Sequence, residues 1–121
     1  MWFEYSKDVA FFIVYIREAH ALDSRSPMGG GRAPIMEDPV TQAERDAVAT
    51  TCMTKLDLEP IPALVDGLDD AVNKAYSGWP DRLYLVGVDG KIAYHGGRGP
   101  YRNLCLATPR FERPSDPRPR R

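Results

Sequence analysis

The chain has 121 residues, of which 43% are hydrophobic and 27% charged, with a formal net charge of -1; this supports one small domain with a core and excludes disorder of the whole chain. Five Arg lie between Arg110 and Arg121 against Glu112 and Asp116, so the body is acidic and carries no basic stripe for nucleic acid. No apolar run is long enough to span a bilayer, and Met1-Trp2-Phe3-Glu4 lacks the start of a signal peptide, so a cytoplasmic protein with neither nucleic-acid nor membrane partner is expected.

In chain order, Met1 to Lys7 is expected to be the last turns of a helix, with Trp2 and Phe3 as apolar surface. Eight apolar residues follow from Val9 to Ile16, short and rich in Val, Ile, Phe and Tyr. That pattern predicts a strand buried on both faces, as in a parallel sheet covered by helices. Ligands of such sheets sit outside the carboxyl ends of the strands, where this sequence turns to Arg17-Glu18-Ala19-His20. A strand of this kind needs neighbours on both sides. The chain before it is too short to supply one, so an N-terminal part is expected to be missing.

Ala21 to Pro39 is expected to be a loop, with Gly29-Gly30-Gly31 and three prolines. Its length suggests a functional segment. Thr41-Gln42-Ala43-Glu44 is a capping box that starts a helix running to about Leu56, with Val48, Cys52 and Leu56 on one face. Ile61 to Asp66 predicts a short strand. Asp69 to Ser77 predicts a helix with Val72, Ala75 and Tyr76 inward and Gly78 as its stop. Arg82 to Val88 and Lys91 to His95 predict a hairpin, with Asp89-Gly90 suited to a type I′ turn. From Tyr101 onward Pro and Arg alternate with polar residues, and a disordered tail is expected. The order is βαβαββ behind a partial helix.

Several separated motifs in this order carry a resemblance: YIREAH with Asp23 after it, the capped helix, PALVDGLDDAVNKAY, WPDRLYLVGVDGKIAYHGG and RGP. Together they resemble the iodothyronine deiodinase-like family, in particular its bacterial branch, over about Asp8 to Pro100. The resemblance implies an α/β chain with a thioredoxin-like mixed sheet flanked by helices, incomplete at both ends. Residues 1–100 are then a partial thioredoxin-like domain and 101–121 a tail.

The implied activity is that of an oxidoreductase performing reductive, thiol-dependent dehalogenation. The implied partners are a small aromatic or peroxide substrate and a thiol reductant as cosubstrate, with no bound cofactor. The family's Cys or selenocysteine nucleophile lies before the strand Val9–Ile16, and neither Cys52 nor Cys105 matches it. The chain is therefore expected to be truncated and inactive alone. The resemblance also departs from the family pattern. Ser24-Arg25 stands where Gly-Trp is usual, a second histidine has no match, and Arg102-Asn103-Leu104-Cys105 is unlike the usual terminal segment.

By the resemblance, Glu18 and His20 are catalytic candidates, and Arg82 and Pro80 are substrate-binding ones. Pro80 matches the proline that is cis in thioredoxin-like domains. Imidazole titrates near neutrality, so His20 suits acid–base work; the simpler reading is a loop histidine at a strand end. Glu18 can orient His20, or merely pair with Arg17 or Arg82 at the surface. Arg82 can bind a carboxylate through paired N–H groups, or be a surface charge. Cys52 serves as a resolving thiol only if it is exposed near the strand ends. With two Cys and two His in no cluster, no metal is expected.

Two other functions fit the sequence. One is a peroxiredoxin-type thiol peroxidase, which needs a low-pKa cysteine near an Arg. The other is a non-enzymatic pseudoenzyme or interaction module using an exposed sheet edge. An open apolar edge is also expected to promote a homodimer.

Overall fold

The computed structural model describes residues 2–25, 27 and 36–99. Gly29-Gly30-Gly31, Cys105 and the tail from Tyr101 lie outside the described residues. The elements run α1 (Trp2–Tyr5), β1 (Ile13–Tyr15), α2 (Gln42–Lys55), β2 (Ala63–Val65), α3 (Ala71–Tyr76), β3 (Tyr84–Val86) and β4 (Ile92–His95). The chain is α/β. No helix among the described residues is long and apolar enough to cross a membrane.

The start of α2 is set locally. The Glu44 amide donates to Thr41 Oγ1 at 3.2 Å, while the Thr41 amide donates to Glu44 Oε2 at 3.0 Å. The Val40 amide donates to the same carboxylate at 2.9 Å. These bonds, Val40's first, hold the Glu44 carboxyl below its ordinary value. The helix ends with Leu56 as its C-cap.

On the expected inner face of α2, Val48 and Cys52 are half-buried, but they are not its most buried residues. Arg45 and Ala49, 3% exposed each, are its buried residues, while Leu56 is 41% exposed. An arginine turns inward here because partners wait for it. Arg45 Nη1 lies 2.7 Å from the Gly67 carbonyl and 3.0 Å from Asp70 Oδ1.

The strand predicted over Val9–Ile16 is also corrected. Only Ile13–Tyr15 forms a ladder, parallel to β2, in the register Ile13↔Ala63 to Tyr15↔Val65. The Ile13 amide donates to the Pro62 carbonyl and the Asp66 amide to the Tyr15 carbonyl. Val14 and its partner Leu64 remain exposed, as does Phe12, so β1 is not buried on both faces. These side chains share one face of the pair by strand alternation, and that face is uncovered among the described residues.

This strand and the one after Pro80 do not pair as a ladder among the described residues. Among the described residues β1 pairs with β2, and β3 with β4 antiparallel. Ladder pairing needs successive N–H to O=C bonds, and the ladder bonds of β1 go to the β2 side. Contact between the halves runs instead through the segment before β3, where the Trp79 indole N–H donates to the Glu18 carbonyl at 3.4 Å.

Two turns are likewise corrected. The predicted inner face of α3 is exposed at Val72, Ala75 and Tyr76, and the helix is capped at Ser77 rather than stopped by Gly78. Its amino end is held from outside by Asp66, whose two carboxylate oxygens accept the Val72 and Asn73 amides at 3.0 and 2.8 Å. At the hairpin tip only Gly90 has positive φ, at 76°. The Gly90 amide donates to the Gly87 carbonyl, and the Gly87 amide donates to the Lys91 carbonyl. That is a three-residue loop closed by a left-handed glycine, not type I′. It spares Asp89 the left-handed conformation that type I′ demands of both central residues.

Candidate functional site

The site is built where β1 ends. Three residues past the end of its ladder, Glu18 Oε1 accepts a hydrogen bond from the Tyr15 hydroxyl. The loop after His20 returns beside its own start. The Leu22 amide donates to the Met36 carbonyl at 3.0 Å, and the Asp38 amide donates to Asp23 Oδ1 at 3.0 Å. Ala21, 2% exposed, seals the base of this loop.

The result is a cleft of about 440 Å³ whose walls include Arg17, Glu18, Asp23, Arg25, Asp38 and Trp79, a size suited to a small molecule. Burial first, and then the negative Asp38, raise the Glu18 carboxyl above its ordinary value; the charge of His20 opposes them. Glu18 is thus a carboxyl able to hold and release a proton closer to neutrality than a free one. One oxygen of Asp38 is buried with no hydrogen-bond partner among the described residues.

The expected site residues are placed as follows. His20 is exposed and electrostatically coupled to Glu18. Pro80 is half-buried and follows a cis Trp79–Pro80 bond. Arg82 is half-buried, with Nη1 3.5 Å from the Tyr84 hydroxyl, which itself donates to the Tyr76 carbonyl. Arg82 Nε has no hydrogen-bond partner among the described residues. Glu18 is on the cleft wall; His20, Pro80 and Arg82 are not among its lining residues. Among the described residues no three His, Cys, Asp or Glu side chains gather closely enough to hold a metal ion.

Cys52 is half-buried on α2. Burial, followed by the Glu18 charge, pushes its thiol above the ordinary value, with Lys55 opposing. Cys52 therefore lies within electrostatic reach of the cleft, and its raised thiol ionises less readily than a free one.

Comparison with known proteins decides the family. The family model for iodothyronine deiodinase matches residues 1–105. The chain belongs to the iodothyronine deiodinase family. It is 33% identical over 104 residues to a thyroxine 5-deiodinase of Sparus aurata, covering 80% of this chain and 34% of that protein. It is 33% identical over 94 residues to a type II iodothyronine deiodinase of Petromyzon marinus, covering 75% and 31%. A thyroxine 5-deiodinase of Ovis aries is 32% identical over 101 residues, covering 80% and 32%. The chain thus spans about a third of the length of these relatives.

Within this deiodinase-family chain, sequence reasoning missed Tyr15, Asp38 and Trp79. Tyr15 was hidden inside an apolar run, although a tyrosine three residues before a glutamate at a strand end is a usable signal. Asp38 and Trp79 lie 20 and 61 residues from Glu18 in sequence, and only folding reveals them.

The raised Glu18 carboxyl makes a checkable prediction. A carboxyl with its folded pKa above its unfolded one binds protons more readily when folded, so stability falls as pH rises through that interval. Glu18→Gln, which still accepts from Tyr15, is expected to be more stable than the parent at pH ~7, the gain vanishing below pH ~4. Denaturant midpoints at the two pH values measure it. A parent more stable than Glu18→Gln near neutrality would refute it.

Proposed function

We propose that this chain carries the substrate-binding and proton-handling part of a deiodinase-type oxidoreductase with a thioredoxin-like fold, acting on an iodinated aromatic molecule with a thiol reductant. The observation that carries the reading is the cleft at the end of β1, with Glu18 on its wall and hydrogen-bonded to Tyr15, in a chain of the iodothyronine deiodinase family. In the reaction, a chalcogen nucleophile takes iodine from the ring carbon, the carbon–iodine bond breaks, and the carbon gains a proton. Two thiols then become a disulfide as iodide is released. Glu18 and His20 handle the proton. Arg82 and Pro80 stand outside the lining of the cleft; the family pattern assigns Arg82 to a negative group at the far end of the substrate and Pro80 to the backbone beside it. Cys52 is not assigned as the nucleophile, since it is half-buried on α2 and burial, then the Glu18 charge, push its thiol up.

Calorimetric titration with 3,5-diiodotyrosine tests the reading. The parent chain binds the probe, and Glu18→Ala weakens binding about ten-fold, the loss of one charged hydrogen bond. Absence of binding, or equal binding by the variant, overturns it. With dithiothreitol the chain alone releases no iodide; turnover abolished by Cys52→Ser would instead make Cys52 catalytic.

The uncovered face of Phe12, Val14 and Leu64 is part of the proposal as a surface for a second copy of the chain, since such a strand pair promotes association. Sedimentation is expected to give a dimer; a monodisperse monomer at all concentrations removes this element.

A further inference from the structure

We infer that Trp79 is the aromatic platform of the cleft, the side chain on which the ring of the substrate stacks. The inference rests on the proposed function and concerns a residue to which that function assigns no role. Trp79 lines the cleft and is 43% exposed. A tryptophan used only for packing hides most of its large surface. This one leaves nearly half of it open, on a wall otherwise rich in charge.

Its position is held at two points. The Trp79 amide donates to Asn73 Oδ1 at 2.9 Å, and its indole N–H donates to the Glu18 carbonyl at 3.4 Å. Asn73 is itself anchored, because its amide donates to buried Asp66. A ring held before binding loses little freedom when a ligand arrives, which favours affinity.

The second bond ties the platform to the chemistry. Glu18 holds the indole through its main-chain oxygen and itself lines the same cleft. A substrate ring stacked on Trp79 is thereby kept beside the group that handles protons. Arg17 and Arg25 on one hand, and Asp23 and Asp38 on the other, supply both signs of charge to the remaining wall. That mixture suits the amino and carboxyl groups of an aromatic amino acid better than a purely apolar or singly charged ligand.

The chain has two tryptophans, Trp2 and Trp79, so Trp2→Phe leaves Trp79 as the sole indole emitter. Bound iodine quenches a nearby indole through the heavy-atom effect, and free tryptophan at the same probe concentrations corrects for the probe's own absorption. Titration of Trp2→Phe with 3,5-diiodotyrosine is expected to give saturable quenching, with the same midpoint as calorimetry. In Trp79→Phe, where Trp2 alone emits, no saturable component is expected. Free iodide, which quenches by collision, is the control. Trp79→Leu is expected to bind the probe about three- to ten-fold more weakly, and Trp79→Phe close to the parent, in line with the strength of ring stacking.

Parent-like binding by Trp79→Leu, or unquenched Trp79 emission at saturating probe, overturns the platform. The proposed function survives that result if Glu18→Ala still weakens binding. No binding by the parent chain overturns both. The quenching measurement keeps Trp79 in place, so the inference stays open to refutation even if Trp79→Leu fails to fold.

Discussion

Arg45→Ala is expected to destabilise the chain by about 3 kcal/mol, the low end of what breaking a buried ion pair costs. The Arg45 side chain is 4% exposed and that of Asp70 18%. Arg45 Nη1 serves the Gly67 carbonyl as well as Asp70. Removing the guanidinium strands a carbonyl and a carboxylate together and leaves a void under α2. The loss stays at the low end because Asp70 keeps some access to water. Against a typical domain stability of about 5–15 kcal/mol the loss is large, and hydrophobic burial has little reserve to offset it: Ala21 and Ala49 are the buried apolar residues, and no large side chain is fully buried among the described residues. Denaturant unfolding of Arg45→Ala, Asp70→Asn and the double variant measures the pair. A coupling energy near zero would show that Arg45 acts only through Gly67 or through its volume.

Asp66→Ala is expected to cost a similar amount, about 3 kcal/mol, by a different route. Asp66 is 2% exposed, and each of its oxygens accepts one amide of α3. Hydrogen bonds to a charged acceptor contribute roughly 1.5–3 kcal/mol, and a stranded buried donor costs about 1–3 kcal/mol. The loss does not stay in α3. Asn73 holds the Trp79 amide, and the Trp79 indole holds the Glu18 carbonyl, so the wall of the cleft hangs on the same carboxylate. Asp66→Ala should therefore red-shift Trp79 emission and speed hydrogen exchange at Val72 and Asn73 at denaturant concentrations where the chain is still folded. Asp66→Asn keeps one acceptor and should recover about half of the stability. Slow, parent-like exchange at both amides in Asp66→Ala would refute the account.

The sequence by itself determined what short-range chemistry controls. The capping box at Thr41 and Glu44 needs partners three residues apart, so it is legible without a fold. The element order is legible too, since each apolar run and its bounding Gly or Pro are local. The cis Trp79–Pro80 bond and the family both followed from motifs that stand intact in the chain. At the hairpin tip the sequence marked the turn at Asp89-Gly90 but not its type, because strand register chooses between loops that use one left-handed residue and loops that use two.

Tertiary structure decided the rest. Arg45 looks like a surface residue until Asp70, 25 residues on, meets it. Asp66 looks like the polar end of a strand until α3 folds back onto it. The run Val9–Ile16 has the composition of a fully buried strand, yet burial depends on what packs against each face, and composition carries no information about that. Trp79 reaches the cleft across 61 residues of sequence. Hydrogen bonds within one turn are settled by the identities of neighbouring residues. Burial, ion pairing and cleft geometry are settled by which distant segments come together.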